Sequence, residues 1–300
     1  MSATYTPDFD LSNVSFDACN EFEQKAPGWS DEGIRNTWND RYVARKVTYP
    51  DGQMEVTVCR EKHFKGPAPI IGNRTRRGES ENRERNEAVA ARNAKKNVRE
   101  RCKSIGADRM ITLTYRDNMI DREKALKDWD KFRRRVGKCV DFHYVAVIEE
   151  QRRGALHFHV AVRGRQCYQL LRSIWSSIVG LDEQGRSMSN IDVRNPSKFG
   201  FGKDGIHKLA SYIAKYCGKQ MECRDFDQKR YFASRGIPKP DVQCWTLAST
   251  DSLGAVQTAF VIAGTGLLDG AQFWYNKALD VIWIATAPYE GLGSLNSVPF

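Results

Sequence analysis

The chain has 300 residues, with 47 Lys and Arg against 37 Asp and Glu and a formal charge of +10; that length buries a real core and excludes a mini-protein stapled by disulfides. The basic balance points toward polyanions such as nucleic acid, with a solvated basic surface as the bland alternative. Eight cysteines without CxxC spacing exclude a secreted disulfide scaffold and fit reduced thiols in a cytoplasm.

No basic stretch followed by an apolar core opens the chain, so no secretory signal is expected. The longest weakly charged run, 256–268, is broken by Gly264 and Gly266 and is too short for a bilayer. A soluble protein without a membrane partner is expected. Residues 1–34 carry seven acids and one base, so 1–73 reads as an acidic, variable N-terminal region, partly disordered at its start. Residues 74–103 carry eleven bases and five acids and are rich in helix formers. The basic helix expected there is either a solvated face or a phosphate contact.

The segment 104–225 reads as a compact domain. MITLTY (110–115) alternates sides and is rich in β-branched residues, a strand. DREKALKDWDKFRRRVGK spaces Leu126, Trp129, Phe132 and Val136 as the apolar stripe of a helix. HYVAVIEE and ALHFHVAV are strands joined by a QRRG turn. YQLLRSIWSSIVG is a second amphipathic helix, NIDVRN a short strand, and GIHKLASYIAKYCGK a last helix with Asp204 as its cap. The order predicts an α+β fold: an antiparallel sheet with helices packed on one face. Residues 226–300 form a C-terminal region of unassigned role. From Trp245 onward it holds one base and four acids, a packing or partner surface.

In ALHFHVAV the two histidines are residues i and i+2 of a strand, so His157 and His159 share a face and can share a metal ion. Leu156, Phe158 and Val160 then face the core. Glu149 on the partner strand is the natural third ligand, with Glu150, on the other face, as second choice. Two imidazoles and a carboxylate leave coordination positions open to substrate, as catalytic sites do. The plain alternative is a half-exposed strand carrying two histidines. Cupin, histidine-triad and facial-triad patterns fit poorly, because Ala161, Val162, Arg163 and Gly164 follow and His159 stands where a facial triad has a carboxylate.

On the last helix Tyr212 and Tyr216 stack four residues apart with Lys208, Lys215 and Lys219 near them, while Ile206, Ala210, Ile213 and Cys217 gather on another face as the core stripe. Two phenols among three ammonium groups suit attack on a phosphodiester, since neighbouring cations favour phenolate. An ordinary helix edge is the alternative.

The strand motif ITLTY at 111–115, His157-Phe158-His159, and Tyr212-Ile213-Ala214-Lys215-Tyr216 follow one another in the order of the HUH endonuclease superfamily, which this segment resembles. These are the rolling-circle replication initiators of small single-stranded DNA replicons. The YxxxY spacing is similar to the two-tyrosine bacteriophage class, as is KRYFASRGIPKP (229–240). Conjugative relaxases usually carry the tyrosine before the HUH motif.

The resemblance implies metal-dependent transesterification at a single-stranded DNA origin in a host cytoplasm. Tyr212 forms a 5′-phosphotyrosine and leaves a 3′-OH for a host polymerase. Tyr216 takes over after one round, and Lys215 contacts the phosphate or lowers a phenol's pKa. The family uses magnesium or manganese, and two imidazoles favour Mn2+ over Mg2+ by ligand type. No GxxxxGK[ST] occurs, so unwinding falls to a host helicase. Arg133, Arg134, Arg152 and Arg153, together with Lys208 and Lys219, are the expected DNA contacts, and Tyr115 or Phe199 stacks on bases or packs in the core. A non-catalytic single-stranded nucleic-acid-binding module and an HUH transposase are the competing readings.

Overall fold

A Pro-Asp-Gly turn sets the first element pair. Gly52 takes φ +81°, a conformation that costs glycine little, and its N–H donates to the Tyr49 carbonyl at 2.9 Å. Strand β1 (Trp38–Thr48) thereby folds back on β2 (Met54–Phe64). The computed structural model describes residues 38–64, 76, 79–80, 82–195, 209–215, 228–247, 251–264 and 271–286. The chain divides into two units, one from Met1–Arg74 with Pro240–Phe300 and one from Thr75–Lys239.

In the second unit, the elements in chain order are α1 (Arg83–Ser104), β3 (Arg109–Tyr115), α2 (Arg122–Cys139), β4 (Tyr144–Glu150) and β5 (Leu156–Val162). They are followed by α3 (Tyr168–Val179), β6 (Ser189–Arg194), α4 (209–215) and β7 (Phe232–Ala233). The strands form one sheet in the order β6-β3-β5-β4-β7, every pair antiparallel. Helix α2 starts where the Asp121 carboxylate accepts from Lys124 N–H at 3.0 Å, an N-cap. It buries Ala125, Trp129, Phe132 and Val136. Trp129 stacks on Phe158 of β5 at 5.4 Å and meets Tyr144 edge-on at 5.1 Å, so one indole ties helix to sheet.

The helices lie on both faces of this sheet, which corrects the expectation of one. Ile111, Leu113, Tyr144, Ala146, Ile148, Phe158 and Val160 bury one face against α2 and α3. Met110, Val145, Val147 and Ala161 bury part of the other against Val98 and Cys102 of α1 and Leu209, Ala210, Ile213 and Ala214 of α4. The physical reason is in the central strands. β4 and β5 are apolar on both sides, and such strands need cover on both. The charged helix α1 supplies its part through Ala91, Ala94, Val98 and Cys102 at spacings of three and four, a narrow small-residue stripe.

The first unit is a second antiparallel sheet, which no motif had announced. Its order is β8-β1-β2-β10-β9, with β8 (Asp241–Leu247), β9 (Ala271–Asn276) and β10 (Val281–Thr286). Helix α5 (Ser252–Ala263), capped by Asp251, buries Ala255, Ala259 and Ala263 against Tyr42, Ala44, Val56, Val58, Ile282 and Ile284. Among the described residues no helix is long and apolar enough to cross a membrane.

Candidate active site

The β4–β5 hairpin closes through Gln151 N–H to the Ala155 carbonyl at 2.9 Å, with Gly154 at φ +83°. Its register pairs Glu149 with His157 and Val147 with His159. Because strand side chains alternate, Glu149, His157 and His159 share the face that α4 covers, and Glu150 opposite Leu156 takes the other. Glu150 is exposed.

His159 is 6 % exposed, and its Nε2 lies 2.8 Å from Glu149 Oε2. With the carboxylate ionised, Nε2–H donates to it and Nδ1 is left as the acceptor. Thr112, the cross-strand neighbour of His159 on β3, sets its Oγ1 3.4 Å from that Nδ1. Thr112 belongs to the ITLTY strand, and its place in the site was missed by sequence reasoning. The signal was available in the alternation, which puts Thr112 and Thr114 opposite Ile111 and Leu113. His157 is half-buried, with its Nδ1 3.2 Å from Gln151 Nε2. Turned over, that amide accepts from Nδ1–H and leaves Nε2 its lone pair. Burial, then the neighbouring His159, hold the His157 pKa below its ordinary value against the opposing pull of Glu149. His157 is thereby kept a neutral imidazole, the ligand form.

Helix α4 brings the phenol. Ala210 and Ile213 are buried under it while Tyr212 is 38 % exposed, and the Tyr212 ring stands edge-on to His159 with centroids 6.5 Å apart. Lys215 is exposed one turn further on. Tyr216, Lys208 and Lys219 lie outside the described residues, as do Phe199 and Asp204.

The donor set fits a divalent ion in chemistry, with two imidazoles and a carboxylate on one sheet face. Among the described residues no group of three or more His, Cys, Asp or Glu is arrayed to hold one. The His159–Glu149 hydrogen bond stands between donors. Two ligand atoms each about 2.1 Å from an ion at right angles lie about 3.0 Å apart, so an ion replacing that shared proton asks for only a small shift.

Arg152 and Arg153 are exposed on the hairpin turn. The structure does not bring Arg133 and Arg134 to the histidines. Both lie on α2, across the sheet, and pair there with Asp130, Arg134 at 2.9 Å. Tyr115 is a core residue, edge-on to Trp175 at 5.2 Å, its hydroxyl donating to Asp128 at 3.3 Å. Burial, with that carboxylate beside it, pushes its pKa up.

A segment so built, with histidines and carboxylate on a central hairpin and a tyrosine helix over them, has the chemical make-up of a site for phosphodiesters. Residues 108–221 match the family model described as Replication-associated protein ORF2. That stretch contains the whole site. No curated protein and no solved structure matches the chain.

Proposed function

We propose that the protein is a rolling-circle replication initiator that nicks and rejoins single-stranded origin DNA through tyrosine, in the two-tyrosine HUH manner. The observation that carries this reading is the meeting of Tyr212 with His159, itself bonded to Glu149, inside the stretch matched to a replication-associated family. The strand order supports it too. Numbered along the motif, β6-β3-β5-β4 runs fourth, first, third, second, the split βαβ arrangement of RRM- and palm-like domains.

A divalent ion, Mn2+ or Mg2+, held by His157, His159 and Glu149, would polarise phosphorus and neutralise charge on the leaving oxygen. The chain's own groups do the rest. Tyr212 Oη attacks in line, the Oη–P bond forming as the P–O3′ bond breaks. The phenol proton passes to solvent, and solvent returns one to the 3′-oxygen. Lys215 and the imidazoles lower the cost of phenolate beside them. The phosphotyrosine conserves the ester energy. Tyr216 then attacks the regenerated origin phosphate, and the freed 3′-OH attacks the first phosphotyrosine, closing the displaced circle and returning the phenol. A host polymerase extends the 3′-OH and a host helicase opens the duplex, in the host cytoplasm. Arg152, Arg153, Lys208 and Lys219 are the proposed strand contacts; Arg133 and Arg134, across the sheet, serve only a strand that wraps the domain.

The test uses a pooled, end-labelled random single-stranded library with Mn2+, scored for protein–DNA adducts that survive denaturation. Adducts lost with His157→Ala or EDTA, and lost fully only when Tyr212 and Tyr216 are both Phe, are expected. Tight binding that survives EDTA with no adduct from any sequence would leave a binding module. Joining that requires paired element ends would mark a transposase.

A further inference from the structure

His157 also forms the rim of a cleft of about 770 Å³ at the end of the sheet, where β3 finishes and β5 and β6 begin. Four arginines line it: Arg116 after β3, Arg153 on the hairpin turn, Arg172 on α3 and Arg186 before β6. Their charge is unequally committed. Arg186 donates to Asp182 at 2.7 Å, and Asp182, accepting also from the Gln184 and Arg186 backbone N–H groups, is held below its usual carboxylate range. Arg116, Arg153 and Arg172 make no ion pair with any acid among the described residues.

Guanidinium groups brought to one cleft without carboxylates repel one another, an arrangement that favours an anion between them. The wall is rigid. Ser176, Ser187 and Ser189 are linked through their hydroxyls at 2.8 Å each, and Trp175 Nε1–H donates to the Thr114 carbonyl at 3.1 Å. One turn before Arg172 on α3, Tyr168 presents a ring 40 % exposed to the same cleft.

We infer that this cleft seats the single DNA strand on one flank of the scissile phosphate, with Arg153 and Arg172 on its backbone and Tyr168 under a base. The inference rests on the nickase reading for the phosphate at His157. A strand whose phosphate sits at His157 has the cleft as its next polar, positively charged space. Arginines track phosphates without regard to sequence, and an exposed aromatic ring stacks any base. A cleft of about 300–1,000 Å³ is also the size that encloses a small ligand, so it takes nucleotides one strand wide and not a duplex.

The experiment is anisotropy of fluorescein-labelled dT20 in EDTA across a salt series, on the full chain. Each of Arg153→Ala and Arg172→Ala is expected to flatten the slope of log affinity against log salt by about 0.7, the double variant by about twice that. Tyr168→Ala is expected to weaken binding about tenfold with the slope unchanged. These side chains are exposed, and unchanged thermal melting checks the fold. Unchanged affinity and slope, or an equal loss in Arg165→Ala outside the cleft, overturns the inference. So does a polyglutamate peptide that needs Arg153 and Arg172 while dT20 does not, since the cleft would then receive an acidic protein segment. The adduct assay separates the two readings. A wild type that forms adducts, with cleft variants that bind and react like it, removes the cleft alone. A wild type without adducts, whose cleft variants lose dT20, removes the nickase and keeps the cleft.

Discussion

His159 Nε2 and Glu149 Oε2 lie 2.8 Å apart across the hairpin, ten residues distant in sequence. The pair is nearly enclosed, with side chains 8 % and 15 % exposed, so each group compensates the other's loss of water. Glu149→Gln keeps the shape and removes the charge. It is expected to weaken Mn2+ binding, read by calorimetry, by at least about 100-fold and to remove adduct formation with it. Glu150→Gln, on the opposite face, is expected to leave both unchanged. Equal effects would exclude Glu149 as the ligand.

Thr112 supports His159 from behind. Thr112→Val keeps volume and branching and deletes the hydroxyl facing Nδ1. Lost outer partners of metal-binding histidines cost about 10-fold or more in affinity, so Mn2+ affinity is expected to fall by that order with thermal stability retained. A variant that binds Mn2+ as the wild type does would leave Thr112 a packing residue.

His157 makes stability depend on pH. Its folded pKa lies below the ordinary 6.5 because burial and His159 disfavour the cation. The unfolded chain therefore binds the proton more readily. The contribution is present above pH 6.5 and is lost as pH falls through the lowered folded value. Urea unfolding in EDTA between pH 5 and 7.5 is expected to show declining stability on the acid side, with a shallower decline in His157→Asn. An identical pH slope in the variant would refute the assignment.

In the other unit, Tyr42 donates to Asp280, and Asp280 Oδ1 is buried with no partner of its own. Burial first, and the carboxylate second, push the Tyr42 pKa up to about 12. This group gains its proton more readily when folded. Its contribution is complete below pH 10 and is lost as pH rises through about 12. Tyr42→Phe strands the carboxylate and is expected to cost about 1–3 kcal/mol at neutral pH, read from urea midpoints. The wild type and variant converge as the phenol ionises. A gap that persists at high pH would refute the coupling.

Local periodicity made much of the second unit legible. Leu126, Trp129, Phe132 and Val136 announced α2, and alternation around Phe158 announced β5, because the helical and extended repeats are written into neighbouring residues. The Glu149–His157 pairing was legible too, since a short QRRG turn leaves few registers open. The hairpin of β1 and β2 was missed although Pro50, Asp51 and Gly52 carried a turn signal. The sheet it joins could not be read at all, since β2 pairs with β10 over more than two hundred residues, Ile282 opposite Val58.

The sequence by itself determined which residues share a face: the histidines with Glu149, Tyr212 with Lys215, Ala210 with Ile213. Only the tertiary structure decided that the face of β5 bearing His159 lies under the helix bearing Tyr212. It alone put Arg133 and Arg134 across the sheet and gathered Arg116, Arg153, Arg172 and Arg186 at its end. The physical reason is that faces follow from backbone geometry within a few residues, whereas the meeting of faces follows from burying apolar area drawn from the whole chain.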